Sequence, residues 1–181
     1  LIVMWSATAC VDKVDESSMY TFTKDMVSTY LSKHDSLSYF WSMVQKTKLS
    51  SKSPSTLDKL LSMRGNYTCF IPTNEAVQHY VDSAMNKHVE DMNQVPDSIR
   101  DDIVKNCIID NGDEKAYETA AFEIGSLERE TMNARYLTIS FDTITGGHSA
   151  IFINTFSRII VPDVKVANGQ IHIVNHVIAP Y

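Results

Sequence analysis

The chain has 181 residues, 44% of them hydrophobic, which is enough for one ordinary domain with a real core and too apolar for a dominantly disordered state. Its 16 basic and 22 acidic residues give a net charge of −6, and no cluster of Lys and Arg gathers on a recognisable helix, which excludes nucleic acid as a partner. Six glycines leave few places where a backbone could close around a cofactor phosphate, and no cofactor is expected.

Residues 1–9 read as the end of a secretion signal, an apolar tip followed by small residues, too short to span a bilayer. Ala7-Thr8-Ala9-Cys10 resembles a bacterial lipobox, in which the cysteine becomes the lipidated first residue of the mature protein. Cys10 is therefore the candidate lipidation site, with the membrane as a partner through that anchor. The competing reading is a buried amino-terminal strand. Residues 10–19, polar and acidic, suit a tether that stays in water.

The remaining chain, residues 20–181, is predicted to be one domain. Phe22, Met26, Val27, Tyr30 and Leu31 recur at helical spacing, as do Leu37, Phe40, Trp41 and Val44, so two amphipathic helices open it. Lys46 to Thr56 loses periodicity and reads as a surface loop, and a short helix restarts at Leu57 and ends near Gly65. Tyr67 to Val77 runs from a short apolar strand through Pro72 to Thr73 and Asn74, whose side chains can accept bonds from the orphan N–H groups opening a helix. Pro96-Asp97-Ser98 opens another helix, on which Ile99, Ile103, Cys107 and Ile108 share a face up to Ile109.

From Ala121 onward the pattern changes to alternation and β-branched runs: Tyr136 to Phe141, Ala150 to Asn154 and Ser157 to Ile160, with turns at 142–147 and 163–169. Asn168-Gly169 turns into a last β-branched run that stops at Pro180. Helices early and strands late give an α+β domain, its amino-terminal helices packed on a compact β-sheet or sandwich of central and carboxy-terminal strands.

Several constellations bear on chemistry. His172 and His176 would face the same way in a strand, and His148 sits on a neighbouring strand candidate, but a tight metal site needs three or four converging ligands, so no metal is expected. No Gly-x-Ser-x-Gly elbow or phosphate-cradling loop occurs, and the chain is not expected to be an enzyme. Cys69 and Cys107 read either as two buried free thiols or as a bridge in an oxidising compartment. Asn66-Tyr67-Thr68 fits a glycosylation sequon whose Thr68 falls in the core strand. At Pro162 the missing donor and fixed φ are expected to break the strand and begin a loop. Asp163 there either caps a nearby N–H, the usual work of Asp in turns, or is offered with Pro162 and Val164 to a partner.

The segments Tyr67 to Val77 and Asn168 to Pro180 together resemble the two signature motifs of the fasciclin (FAS1) domain of cell-surface and matrix proteins, and the intervening elements occur in that family's order. The resemblance extends over Thr21 to Pro180 and implies the fasciclin fold, with His172 where the family keeps a packed histidine. Two departures stand out: Lys105-Asn106-Cys107 replaces a common Tyr-His or Asn-His pair, and Asn175-His176 replaces an acidic-basic pair. Pro162-Asp163-Val164 is similar to a Pro-Asp-Ile stretch proposed as an integrin-recognition site in animal members.

The acidic segment after Cys10 resembles that of surface-exported lipoproteins of the Bacteroides group. The resulting expectation is a non-catalytic adhesion domain displayed as an outer-membrane or cell-surface lipoprotein, binding an extracellular protein or polysaccharide. The alternative is an accessory binding lipoprotein of an outer-membrane glycan or nutrient uptake system.

Overall fold

The computed structural model describes residues 25–144 and 148–178. Cys10, the signal-like tip, the tether, Phe22 and Pro180 lie outside them. Five α-helices occur among the described residues: α1 (Val27–Lys33), α2 (Ser38–Val44), α3 (Leu57–Leu60), α4 (Asn74–Met85) and α5 (Asp97–Lys105). Seven strands follow or interleave: β1 (Tyr67–Pro72), β2 (Ile108–Asp110), β3 (Gly125–Glu130), β4 (Tyr136–Ile144), β5 (His148–Ile153), β6 (Ser157–Val166) and β7 (Gly169–Val174). They form one sheet in the order β2-β1-β7-β6-β5-β4-β3. The domain is thus α+β, with the early helices sharing one apolar core with the strands.

Apolar content decides what sits at the centre. All six residues of β1 are buried, as its near-continuous apolar run requires for a strand covered on both faces. β1 lies between β2, antiparallel, and β7, parallel, with Tyr67 opposite Gly169 and Phe70 opposite His172. The two segments singled out in the sequence are therefore hydrogen-bonded neighbours. β6 joins the sheet's two halves: only its first residues pair with β5, at Phe152 with Arg158 and Ile153 with Ser157, while its remainder pairs with β7.

Asparagines from these segments supply caps that the helices lack locally. Neither α1 nor α2 has a side-chain cap at its own N-cap residue. Asn168, 1% exposed, accepts from Val27 N at 2.8 Å across 141 residues and donates to Leu61 O at 2.9 Å and Met63 O at 2.8 Å. Asn74 does the same for α2, accepting from Tyr39 N at 2.9 Å and donating to Asp35 O at 2.8 Å and Ser38 Oγ at 3.0 Å. The cap of α4 itself comes from Thr73, which accepts from Ala76 N at 3.3 Å. Of the two residues expected to cap α4, one does and the other ties α4 to its neighbour.

Two elements depart from expectation. The helix expected to run to Ile109 stops at Lys105, and Ile108–Asp110 forms β2 against β1. Apolar residues at 103, 107 and 108 satisfy a helical face and a short buried strand equally well, and pairing with the edge of β1 decides between them. The strand expected to break at Pro162 instead continues to Val166. Val161 pairs with Ile173 and Val164 with Ile171, so one extra residue is accommodated as a bulge. Pro162 is tolerated because β6 has left β5 behind by Arg158 and presents that stretch as an edge.

Candidate functional site

The loop from β2 to β3, residues 111–124, crosses the sheet and is fastened to it at successive points. Tyr117 N donates to Thr68 Oγ1 at 2.8 Å, and Thr68 Oγ1 donates to Asn111 Oδ1 at 2.8 Å. Phe122 is buried, its ring 6.2 Å from that of Phe70 and 5.4 Å from that of His172. Arg129 on β3 pairs with Glu114 at 2.8 Å. This crossing segment covers the face of β1 and β7 that carries Thr68, Phe70 and His172, which accounts for their burial.

His172 is wholly buried, as a packed histidine should be, and stacks on Phe70 at 5.3 Å. Nε2–H donates to Tyr117 O at 2.9 Å, while Nδ1 accepts from Asp163 N at 3.2 Å. Burial holds the imidazole below its ordinary value, against the opposing pull of Tyr117 O and of the Asp163 and Glu118 carboxylates. It is therefore the neutral Nε2–H tautomer.

Asp163 is the left-handed residue of the β6 bulge, at φ 55°, a conformation Asp tolerates better than most. Its carboxylate accepts from Thr119 N at 2.8 Å and from the Thr119 hydroxyl. The capping role expected of Asp163 is present, but the N–H it satisfies is 44 residues distant rather than in its own turn. Its side chain is only 19% exposed. Pro162 is exposed, Val164 is half-buried against the core, and Ile160 and Val161 stand 40% and 42% exposed. The corner is thus a rigid apolar edge whose Asp holds it from behind.

Beside Ile160 lies a cleft of about 580 Å³, bounded by Thr73, Asn74 and His79 on one side and by Asn175 and His176 on the other. The ends of the two signature segments meet here because β1 and β7 run parallel. Asn175 Oδ1 accepts from Arg158 N at 2.8 Å and from His176 Nδ1 at 2.9 Å, so the pair that replaces the family's charged residues pins the start of β6.

The other candidates resolve differently. His176 lies beyond β7, exposed, while His172 is enclosed, so the two do not converge. Among the described residues no group of three or more His, Cys, Asp or Glu is placed to hold a metal. Cys69 and Cys107 are free, buried thiols. Burial pushes the Cys107 thiol up to about 12 and raises that of Cys69 further, which leaves neither a nucleophile at neutral pH. Thr68 of the sequon is enclosed, and Asn66 Nδ2 is bound to Gly112 O at 2.9 Å. Trp41 is half-buried on the core rather than offered as a sugar platform.

Sequence reasoning found Pro162, Asp163 and His172 but not Thr119, Tyr117 or Phe122. Nothing local marks these three, since their significance comes from strands 44 to 55 residues downstream.

The family model described as Fasciclin domain matches residues 35–180. No curated protein matches the sequence. A solved structure described as a FAS1 domain pair from the insect cell adhesion molecule Fasciclin I superposes with a TM-score of 0.61 at 16% identity, over 86% of this chain. The match spans 51% of that structure, about half its length.

Proposed function

The chain belongs to the fasciclin domain family, and from that premise we propose that it works as a non-catalytic adhesion module outside the cytoplasm, gripping an extracellular protein through the β6 corner. The observation that carries this reading is the stretch Ile160–Val161–Pro162, paired with β7 on one side and open on the side that β5 has left: large apolar side chains held exposed on a backbone that Asp163 fixes to Thr119 and His172. Isolated exposed apolar residues are ordinary, whereas a rigid row of them beside a cleft gives a partner a contact with little ordering cost. In this reading Val161 and Pro162 touch the partner, Val164 backs them, and Asp163 positions them. A polysaccharide is the second class of occupant, less well served because among the described residues no exposed Trp flanks the cleft.

Beads coated with the full chain and offered arrays of extracellular-matrix proteins and of polysaccharides test this. Capture by a matrix protein is expected, with Val161→Glu reducing it at least about tenfold by placing a charge in the buried centre of the contact. Unchanged capture by Val161→Glu would locate the interface elsewhere.

Attachment belongs to the same proposal. None of the described helices is long and apolar enough to cross a membrane. Acylation of Cys10 would tether the module to an outer membrane or cell surface through residues 10–19, and a chain with several acyl groups is held far more firmly than one with a single group. Radiolabelled palmitate is expected to enter the full-length protein and to be absent from Cys10→Ala. Equal labelling of the two proteins, or none, would remove the anchor. The uptake-system alternative shares this anchor and differs in partner, so strong hits confined to the polysaccharide array would favour it.

A further inference from the structure

We propose that His172 is an acid-sensitive latch that keeps the crossing segment and the Asp163 bulge locked together at neutral pH and releases them in acid. The proposal rests on the adhesive reading only in that the latch governs when the corner is presented.

Both ring nitrogens of His172 are committed in a way that only the neutral ring satisfies. Nε2 carries its proton toward Tyr117 O at 2.9 Å, and Nδ1 must be bare because Asp163 N–H points at it from 3.2 Å. A second proton on Nδ1 would set two donors against each other. It would also place a cation between Phe70 and Phe122, with no solvent contact.

The charged groups facing the ring are the Asp163 carboxylate on β6, with Oδ1 3.8 Å from Nδ1, and Glu118 on the crossing segment; β1 contributes the uncharged Phe70. Among the described residues Asp163 is the only carboxylate within 4 Å, and it is already used, accepting from both the backbone N–H and the hydroxyl of Thr119. To receive a proton-bearing Nδ1 it must let Thr119 go. If it does not, the charge stays unpaired in an apolar site. Either outcome loosens residues 117–122 and the bulge, while β3, β4 and β5 share no hydrogen bond with the ring.

The sign follows from linkage. Burial lowers the folded imidazole below 6.5, so at pH values between that value and the folded one the unfolded chain holds more protons. Stability contributed by the latch is complete above the ordinary imidazole value, falls as pH drops toward the folded value, and levels off below it.

Amide exchange on the full chain, compared between about pH 7.5 and about pH 5 after correction for intrinsic rates, reads the latch without any partner. The amides of Thr119 and Asp163 are expected to lose at least about tenfold in protection, while those of Ile139 and Ile153 keep theirs. His172→Gln, which retains a donor for Tyr117 O and an acceptor for Asp163 N without a titrating ring, is expected to abolish that difference. Should the variant fail to fold, the wild-type His172 ring titration by NMR serves instead, its midpoint marking the pH below which Thr119 protection falls no further. The latch is overturned if Thr119 and Asp163 stay protected, if they open only together with Ile139 and Ile153, or if His172→Gln keeps the same pH dependence. Bead capture by Val161→Glu at neutral pH is untouched by any of these results, so the adhesive reading stands or falls separately.

Discussion

Replacing Asn168 by Ala is expected to cost the domain about 2–4 kcal/mol, seen as a drop in the urea midpoint with an unchanged slope. The side chain is buried and makes three bonds, to Val27 N, Leu61 O and Met63 O. Alanine removes all three, leaving the Val27 N–H at the start of α1 and the Met63 carbonyl past the end of α3 without partners, while Leu61 O keeps the Ser28 N–H at 3.3 Å. Each such buried group costs roughly 1–3 kcal/mol when water cannot reach it, and partial access at Met63 keeps the sum toward the lower part of the range. Asn168→Asp sharpens the test. It keeps an acceptor for Val27 N but turns a carboxylate toward two carbonyl oxygens, and it should be no more stable than the alanine variant. A loss below about 1 kcal/mol for Asn168→Ala would mean that water or neighbouring side chains satisfy these groups and that the asparagine is not the staple described above.

Gly169→Ala is expected to destabilise by about 3 kcal/mol or more, at the upper end of what overpacking does. A Cβ at this position would sit 2.1 Å from Tyr67 O and 2.9 Å from both Tyr67 C and Tyr67 N. These are backbone atoms of the adjacent parallel strand and cannot turn aside as a flexible side chain could. Relief requires β1 and β7 to separate at their first paired residues, where Tyr67 N donates to Asn168 O at 2.9 Å. The effect is one of space, since the residue's φ lies outside the left-handed region. Early loss of exchange protection at the Tyr67 amide, with the hairpin of β4 and β5 unaffected, would accompany the fall in stability. Full retention of stability would show that the two strands can part without penalty.

Much of the fold could be read from local pattern because local pattern causes it. Thr73 is a helix cap by its chemistry and position, and the run Tyr67–Pro72 is too apolar and too short to be anything but a buried strand. Asn74 was harder: its residue type announces a cap, but the helix it caps is α2, 35 residues earlier. Asn168 likewise reads as a turn residue, and it is one, yet its side chain serves α1. Asp163 repeats the pattern, its cap falling on Thr119. In each case the residue type gives the bond and the topology gives the partner, and the topology depends on strand order that no single segment encodes. Ile103, Cys107 and Ile108 mislead for a different reason, since a spacing compatible with both periods carries no information about which is used. Pro162 misleads because its prohibition applies to strands paired on both sides, and one side of β6 is open there.

The candidate corner shares this division. Pro162, Asp163 and Val164 stood out because proline and aspartate are conspicuous, while Ile160 and Val161, the most exposed apolar side chains of the stretch, look like ordinary strand residues in sequence. What makes them different is the departure of β5, an event of the sheet and not of the segment.

The parallel pairing of β1 with β7 has a consequence for how the molecule comes into being. Most of the domain's length lies between Tyr67 and its partner Gly169. During synthesis β1 emerges early with an apolar surface on both faces, and it waits beside β2 and the helices until β7 arrives among the last described residues. Closing so long a loop makes folding slow, because its entropy is spent before the contact rewards it. The unfinished domain therefore exposes its most apolar strand throughout the synthesis of the residues between β1 and β7. If the domain is displayed outside the cytoplasm as proposed, the cell has reason to keep the incomplete form shielded, or to carry it across the membrane unfolded and let the central strands meet only on the far side.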